Sequence, residues 1–491
     1  MYCFCVTPFG IAEAPRKFTI YKQEVHRPLR GLAVKLGMLL DDRLAIESSG
    51  SRARMLSEAL ILIMVAMGVV INIPDPEGKK AQWIPKPTCR YLGFIVNAAE
   101  QKFKFPDEKK QELLALIGDT VKSPTVSNRQ LAKVAGKLIA AAPAVQLAPL
   151  FARAVYHSMT GKRDWDDLYP SMEALKADLQ CCADTLAASS GACWWKREAT
   201  LAVAGDASEF AFGGYAPGGE YPHPIVVSFN SEQLQLMETN QFSSTLREIM
   251  CMLVITKVLQ EAPHLIQHKR FVYETDSQTG FFSVMGMKGN AATFPIVREF
   301  RLLCAVFDIE IEVVWRPRED EHQQLADFWS KVQNNSEWSL HSAEYQSLTQ
   351  HPVLHGIKPT LDVFASHTTT KVADTFYSKY VCPGTSGVDA FRHPWAYNPR
   401  TGARHLAYIN GPFDKIGMIV RKVKEERVDC IFVAPVWPRH WVAMMQRMPS
   451  VRARIVLSGR PDLCIPGPHV PKPKRKLKHP RYQMQALIII W

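Results

Sequence analysis

The chain has 491 residues, 47% hydrophobic and 22% charged, with a formal net charge of +12. That length predicts about three domains, and the composition excludes a disordered chain. The positive balance favours a polyanionic partner, and the 11 scattered cysteines without a recurring CxxC pair predict reduced intracellular thiols rather than a disulfide framework or zinc site.

In chain order, residues 1–105 read as alternating short helices and strands. The chain opens in a turn, Thr7 to Gly10, without the charged start of a secretory leader, so a preceding segment is expected. The longest apolar run, Ala59 to Ile71, is short for a bilayer span and reads as a buried helix running into a strand. Residues 106–196 read as helical. Pro106, Asp107 and Glu108 suit a helix start, and Leu131, Val134, Ala135 and Leu138 recur at helical spacing after Ser127. Residues 197–335 mix strands and helices. The polar stretch from Gln333 and the His351-Pro352 pair mark a boundary, and residues 357–467 alternate strand and helix again. Residues 468–491 form a tail with a basic run, Lys472 to Arg481, and an apolar finish, Ala486 to Trp491, which suggests truncation or read-through. The basic run fits either a solvated arm touching phosphates or a nuclear address.

Two signals stand close together near the start: Pro8-Phe9-Gly10 with Ala14-Pro15 and Phe18, then Leu39 to Asp42. Adjacent acids between apolar strands repel unless a cation lies between them, although Asp41 and Asp42 also suit a solvated turn. With the Tyr91 to Phe94 hairpin, these words resemble the palm of a reverse transcriptase. The helical block, with Lys137 to Val145 and Pro149 to Phe151, resembles the thumb and connection of DIRS-type retrotransposons. Leu39 replaces the usual aromatic, and the upstream strand with the third metal-binding aspartate is absent, as are the fingers. This chain alone is therefore expected not to polymerise DNA.

Four acids each close a local pattern. Asp206 ends the strand-like run Leu201 to Gly205, and Glu248 sits in the apolar helix pattern from Ser244. Asp276 ends Phe271 to Thr275, and Asp327 lies in the helix pattern Gln323 to Lys331. Hard divalent cations need several oxygen ligands, and carboxylates supply both oxygen and charge. With Asp206-Ala207-Ser208, Phe212 to Ala216 and Ala326-Asp327, the order resembles RNase H. That resemblance implies that Asp206, Glu248 and Asp276 hold one Mg²⁺ (or Mn²⁺) and that Asp206 and Asp327 hold a second. The substrate would be an RNA–DNA hybrid, read through 2′-hydroxyls on one strand and phosphates on the other. His322 would assist product release or be an exposed helix histidine, with the latter favoured. Gln323 stands where the family often has Asn.

Further on come Asp362 to Ser366, Asp389 to Phe391 and Asn410-Gly411-Pro412-Phe413. The first and last of these, with the closing Gly459-Arg460, resemble the Dam-type N6-adenine DNA methyltransferase domain that follows RNase H in DIRS-type elements. The resemblance implies that Asn410 and a carbonyl accept from the target amine, with Pro412 and Phe413 completing the turn and the ring stacking on a flipped base. It implies that Asp362 contacts S-adenosylmethionine. Gly411 departs from the expected Pro, no glycine-rich cofactor loop is evident, and Asn410 also suits a plain Asn-Gly turn.

The expected whole is a multidomain α/β fragment of a DIRS-type retrotransposon polyprotein. It comprises a partial palm (1–105), thumb and connection helices (106–196), an RNase H-like mixed sheet with helices (197–335), a Rossmann-like methyltransferase-type α/β domain (357–467) and the tail (468–491). Expected partners are RNA–DNA hybrid, RNA template, DNA and other products of the same retroelement, with no membrane. The expected location is intracellular, in nucleus, cytoplasm or both. Two other readings stay open: a nucleic-acid-binding remnant without catalysis, and adenine methylation by the last domain.

Overall fold

A computed structural model describes residues 36–39, 42–66, 83–159, 164–218, 221–332, 334, 337–372, 375–467 and 482–491, with isolated positions 20, 23, 27, 68 and 470. The Pro8 to Phe18 motif, Asp41 and the basic run 472–481 lie outside the described residues. The chain is mixed α/β and divides into two compact units, residues 1–196 and 197–491. Among the described residues, no helix is long and apolar enough to cross a membrane.

In the first unit, β1 (Leu36–Leu39) pairs antiparallel with β2 (Asp42–Ala45), with Leu39 opposite Asp42. α1 (Gly50–Ala66) follows. It was expected to be buried, but it buries only Leu56, Leu60 and Met64 and exposes Leu62 and Val65. Its buried positions recur every four residues, so one stripe packs while the rest of the apolar run faces outward. β3 (Thr88–Tyr91) and β4 (Phe94–Asn97) form a hairpin over Leu92 and Gly93, both at positive φ as a type I′ turn requires. β5 (Lys102–Lys104) continues this sheet, and β6 (Ala192–Cys193) returns to pair with it. Between them lie α2 (Asp107–Lys122), α3 (Asn128–Ala141), α4 (Ala148–Ser158) and α5 (Glu173–Ala188). Ser127 caps α3 by accepting from the Gln130 N–H, and Leu131, Val134, Ala135 and Leu138 are all buried. α3 packs on α4, and α2 on α5.

The second unit holds two five-stranded sheets. The first runs β9-β8-β7-β10-β11, from β7 (Ala199–Ala207), β8 (Ala211–Tyr215), β9 (Ile225–Ser228), β10 (Arg270–Thr275) and β11 (Glu310–Trp315). β7, β8 and β9 are an antiparallel meander, whereas β10 lies parallel to both β7 and β11. The short α6 (Ser231–Glu238) leads to α7 (Ser244–Gln260), while α8 (Gln278–Met285) and α9 (Phe294–Val306) connect β10 to β11. α10 (Glu321–Ser330) packs on β7 and β8. Glycine sets two close approaches. A Cβ at Gly213 would overlap the Ser330 backbone of α10, and one at Gly214 would press on Ile255 of α7. Neighbouring strand residues face opposite ways, so α10 and α7 cover opposite faces of β8.

The second sheet follows α11 (Ser342–Thr349). Its order is β12-β13-β14-β16-β15, from β12 (Leu361–Asp362), β13 (Leu406–Ile409), β14 (Asp429–Pro435), β15 (Val451–Val456) and β16 (Met484–Ile489). β12, β13 and β14 are parallel, and β16 runs antiparallel to both neighbours. α12 (Ile416–Glu426) packs Ile419, Val420 and Val423 into one cluster with Phe432, Leu487 and Ile489. Leu340, Leu348 and Leu354 join Ile431, Ala486 and Ile488 in another. Successive residues of β14 and β16 thus enter opposite clusters, which is why these strands read as unbroken apolar runs. The apolar finish, placed with the tail in the sequence, is an inner strand of this sheet. The edge strand β9 of the first sheet is joined to the segment between β12 and β13, where Val226 donates its N–H to the Val381 carbonyl at 3.0 Å and Val381 donates to Pro224 at 3.2 Å.

Candidate metal centre

β7 and β10 lie side by side and parallel, so their carboxyl ends deliver Asp206 and Asp276 to one end of the sheet. Ser243 caps α7 by accepting from the Leu246 N–H, which starts the helix one turn before Glu248. Asp206, Glu248 and Asp276 each present a carboxylate oxygen, and these oxygens lie within 4.8 Å of one another. Asp327 stands outside this group of three, one helical turn from Ser330 on α10. The Ser330 hydroxyl donates to Asp206 Oδ2 at 2.6 Å and lies 2.9 Å from the Asp327 carbonyl.

Burial pushes the Asp206 carboxyl up, against the Ser330 hydrogen bond, and the charges of Asp327 and Asp276 add to the rise. Glu248 is raised well above the usual carboxylate range, by burial first and then by Asp206 and Asp276. Its Oε2 is buried and finds no hydrogen-bond partner among the described residues. Like charges this close need protons or a cation between them. The orphaned Glu248 oxygen and an all-carboxylate donor set fit a hard divalent cation such as Mg²⁺ or Mn²⁺. The outer two carboxylates have cationic partners. Arg318 Nε donates to Asp276 Oδ2 at 2.9 Å, and Lys331 Nζ to Asp327 Oδ1 at 2.5 Å.

A second group lies on the same strand. Glu274 is 3% exposed, and its Oε1 accepts from Arg316 Nη2 at 2.9 Å. His322 Nδ1 lies 2.9 Å from Glu274 Oε2, and Asp320 caps α10 beside it. His322 is a helix histidine with its side chain 37% exposed, and it is also tied to a buried carboxylate, a contact the sequence did not suggest. Sequence reasoning missed Ser330, Glu274 and Arg318. The available signals were Asp327 and Ser330 one helical turn apart, and the acids at 274 and 276 matching the arginines at 316 and 318 at strand spacing.

The remaining candidates do not converge on this centre's three carboxylates. Asp41 is outside the described residues, and Asp42 is described only as a strand position. Asp362 is buried, with Oδ2 accepting from the Lys371 N–H at 2.8 Å, and burial pushes it up to about 7. Asn410 donates its amide to the Trp338 carbonyl at 3.1 Å. Phe413 packs edge-on against Trp437. A Cβ at Gly411 would lie 2.5 Å from Ile419 Cδ1 and 2.9 Å from Phe364 Cδ2, so the turn is closely packed at the position where Gly replaces the expected Pro. A cavity of about 410 Å³ lies between the sheets, lined by Val226, Phe364, Asp389, Pro412 and Lys415 among others. Asp362 and Asn410 do not line it.

No family model matches the chain, and no curated protein matches it. Among solved structures it is similar to a foamy viral protease–reverse transcriptase (dRH) in complex with double-stranded DNA. Identity there is 16%, over 63% of this chain and 50% of that one, with a TM-score of 0.35. The foamy viral protease–reverse transcriptase with RNA/DNA hybrid gives 16% identity, 64% and 39% coverage and a TM-score of 0.34. Its complex with double-stranded DNA gives 13%, 64% and 60%, and 0.34. The chain thus spans between 39% and 60% of the length of these proteins.

Proposed function

We propose that this chain is a divalent-metal-dependent nuclease of the RNase H kind, which cuts the RNA strand of RNA–DNA hybrids, and that it is a fragment of a DIRS-type retrotransposon polyprotein. The observation that carries the reading is the meeting of Asp206, Glu248 and Asp276 at the ends of two parallel strands, with a buried Glu248 oxygen left unpaired. Asp206, Glu248 and Asp276 would hold one cation, and Asp206 with Asp327 a second. When bound, the cations supply an activated water and stabilise the leaving oxygen. The chain's own residues orient this arrangement: Ser330 fixes the Asp206 carboxylate, and Arg318 and Lys331 balance the outer charges until cations enter. The first unit would be the palm and thumb remnant, insufficient for polymerisation without further carboxylates.

The test is cleavage of a labelled RNA–DNA hybrid by the purified chain with Mg²⁺ or Mn²⁺. Cleavage that Asp206→Asn abolishes is expected. Wild-type protein that binds hybrid but does not cut it would instead establish the remnant without catalysis.

A second reading is methyl transfer to adenine by the last domain. It is favoured by the cavity beyond the parallel strands β12 and β13, the usual place for a ligand in such sheets. Binding of labelled S-adenosylmethionine, and its loss in Asp389→Ala, would support it. Unchanged binding in that variant would remove the cavity from consideration.

A further inference from the structure

The arginines at 316 and 318 make the same kind of pair with the acids at 274 and 276, but in opposite surroundings. Arg316 holds Glu274, whose side chain is 4% exposed, so that pair belongs to the packed end of the sheet. Arg318 Nε donates to Asp276 Oδ2 at 2.9 Å, and the arginine side chain is 77% exposed. Among the described residues, Nε is its one engaged nitrogen. The rest of the guanidinium fork stays open to water.

The loop that carries Arg318 is tied at both ends and open at its tip. At its start, the Trp315 indole N–H donates to the Asp276 carbonyl at 3.0 Å, and the Arg316 N–H donates to the Thr275 carbonyl at 2.9 Å. At its end, Asp320 donates its N–H to the Pro317 carbonyl at 3.0 Å, and Gln324 Nε2 donates to the Glu319 carbonyl at 3.2 Å. Arg318 is thereby held beside the carboxylate centre, near enough to feel the charges of Asp206 and Asp327 as well as Asp276. An ion pair this open to water is weak. A divalent cation on the same carboxylate brings twice the charge and repels the guanidinium. The fork released in this way has the planar geometry that matches a phosphate.

We propose that Arg318 is a cation-released phosphate clamp: it neutralises Asp276 in the metal-free centre and, once a cation takes that carboxylate, binds a phosphate of the strand lying across the centre. The inference rests on the nuclease reading for the identity of that strand. It makes Arg318 a substrate-positioning residue and couples nucleic-acid affinity to metal occupancy, each raising the other.

The experiment measures binding of a fluorescein-labelled RNA–DNA hybrid to the full chain by anisotropy, once in EDTA and once in Ca²⁺, an oxygen-binding cation of looser geometry than Mg²⁺. In EDTA, where Asp276 engages Arg318, Arg318→Ala should change affinity by less than about twofold. In Ca²⁺ it should weaken binding about fivefold or more and reduce the salt slope by about one. Arg318→Lys, which keeps the charge without the fork, should recover part of the loss. With Mg²⁺, Arg318→Ala should raise KM more than it lowers kcat. Because Arg318 is exposed, the exchange should leave the fold intact, which a melting curve checks. An equal loss in EDTA and Ca²⁺ is what any surface charge would give, and it would overturn the clamp, as would no loss in either. Wild-type protein that shows the Ca²⁺-dependent difference but cuts nothing in Mg²⁺ would keep the clamp and reject the nuclease reading. Wild-type protein that cuts, with equal losses in both conditions, would reject the clamp alone.

Discussion

Removing the charge of Glu248 isolates what the carboxylate cluster costs the metal-free fold. The side chain is raised well above the usual range by burial and by two acidic neighbours, and one oxygen has no partner among the described residues. Glu248→Gln keeps the shape and removes the repulsion. In EDTA it should melt higher than wild type, by about 1–2 kcal/mol in stability. Adding Mg²⁺ should raise the wild-type melting temperature, because a ligand of the native state stabilises it, and should leave the variant nearly unmoved. A variant that gains as much from Mg²⁺ as wild type would show that Glu248 is not a ligand. Asp362 gives a pH test at the same scale. Its folded value of about 7 lies above the ordinary carboxylate value, so the folded state holds a proton that the unfolded state releases. Stability is therefore full below about pH 4 and declines as pH rises towards 7, by roughly 2–4 kcal/mol in all. Asp362→Asn, which can still accept from the Lys371 N–H, should flatten that decline and match wild type only in acid. Urea titrations across that pH range check it.

Single elements carry strain and closeness that side-chain chemistry alone does not reveal. Leu92 sits at φ 48° in the β3–β4 turn, a region that costs a non-glycine residue about 1 kcal/mol and suits Asn. Leu92→Asn should stabilise the first unit by about that amount, read by urea unfolding. Gly213 is the opposite case, because the backbone of α10 rests where its Cβ would be. Gly213→Ala should displace Ser330 from Asp206, cost about 1–3 kcal/mol and weaken metal binding, measured by the same melts with and without Mg²⁺. These two positions also show what the sequence could and could not reveal. Asp206, Glu248 and Asp276 were legible as positions because each closes a run with a clear strand or helix pattern. The cap at Ser127 and the stripe from Leu131 to Leu138 were legible for the same reason. Ser330 and Arg318 were not, because their roles depend on which element lies against which. The burial of α1 was overestimated, because an apolar run has the same composition whether one stripe or all of it is covered.

At the scale of the whole molecule, the end of the chain tests how the second unit is built. Composition places residues 468–491 together, since a basic run dominates them, and gives no sign that their last part belongs elsewhere. A strand buried on both faces has no alternation to betray it. β16 nonetheless pairs with β14 along Cys430 to Pro435 and with β15 along Val451 to Val456, and Ala486, Ile488 and Ile489 are fully buried. Deleting residues 482–491 would strip hydrogen-bond partners from two strands and open both clusters at once. Backbone burial, not nearness to a terminus, decides how such a cut is tolerated. A chain ending at residue 481 should lose the cooperative unfolding of the second unit and become protease-sensitive between residues 357 and 467. Replacing the six lysines and arginines of 472–481 by glutamine should leave that unfolding intact and change only polyanion binding. A truncated chain that keeps a wild-type melting transition and proteolysis pattern would show that the sheet does not depend on β16.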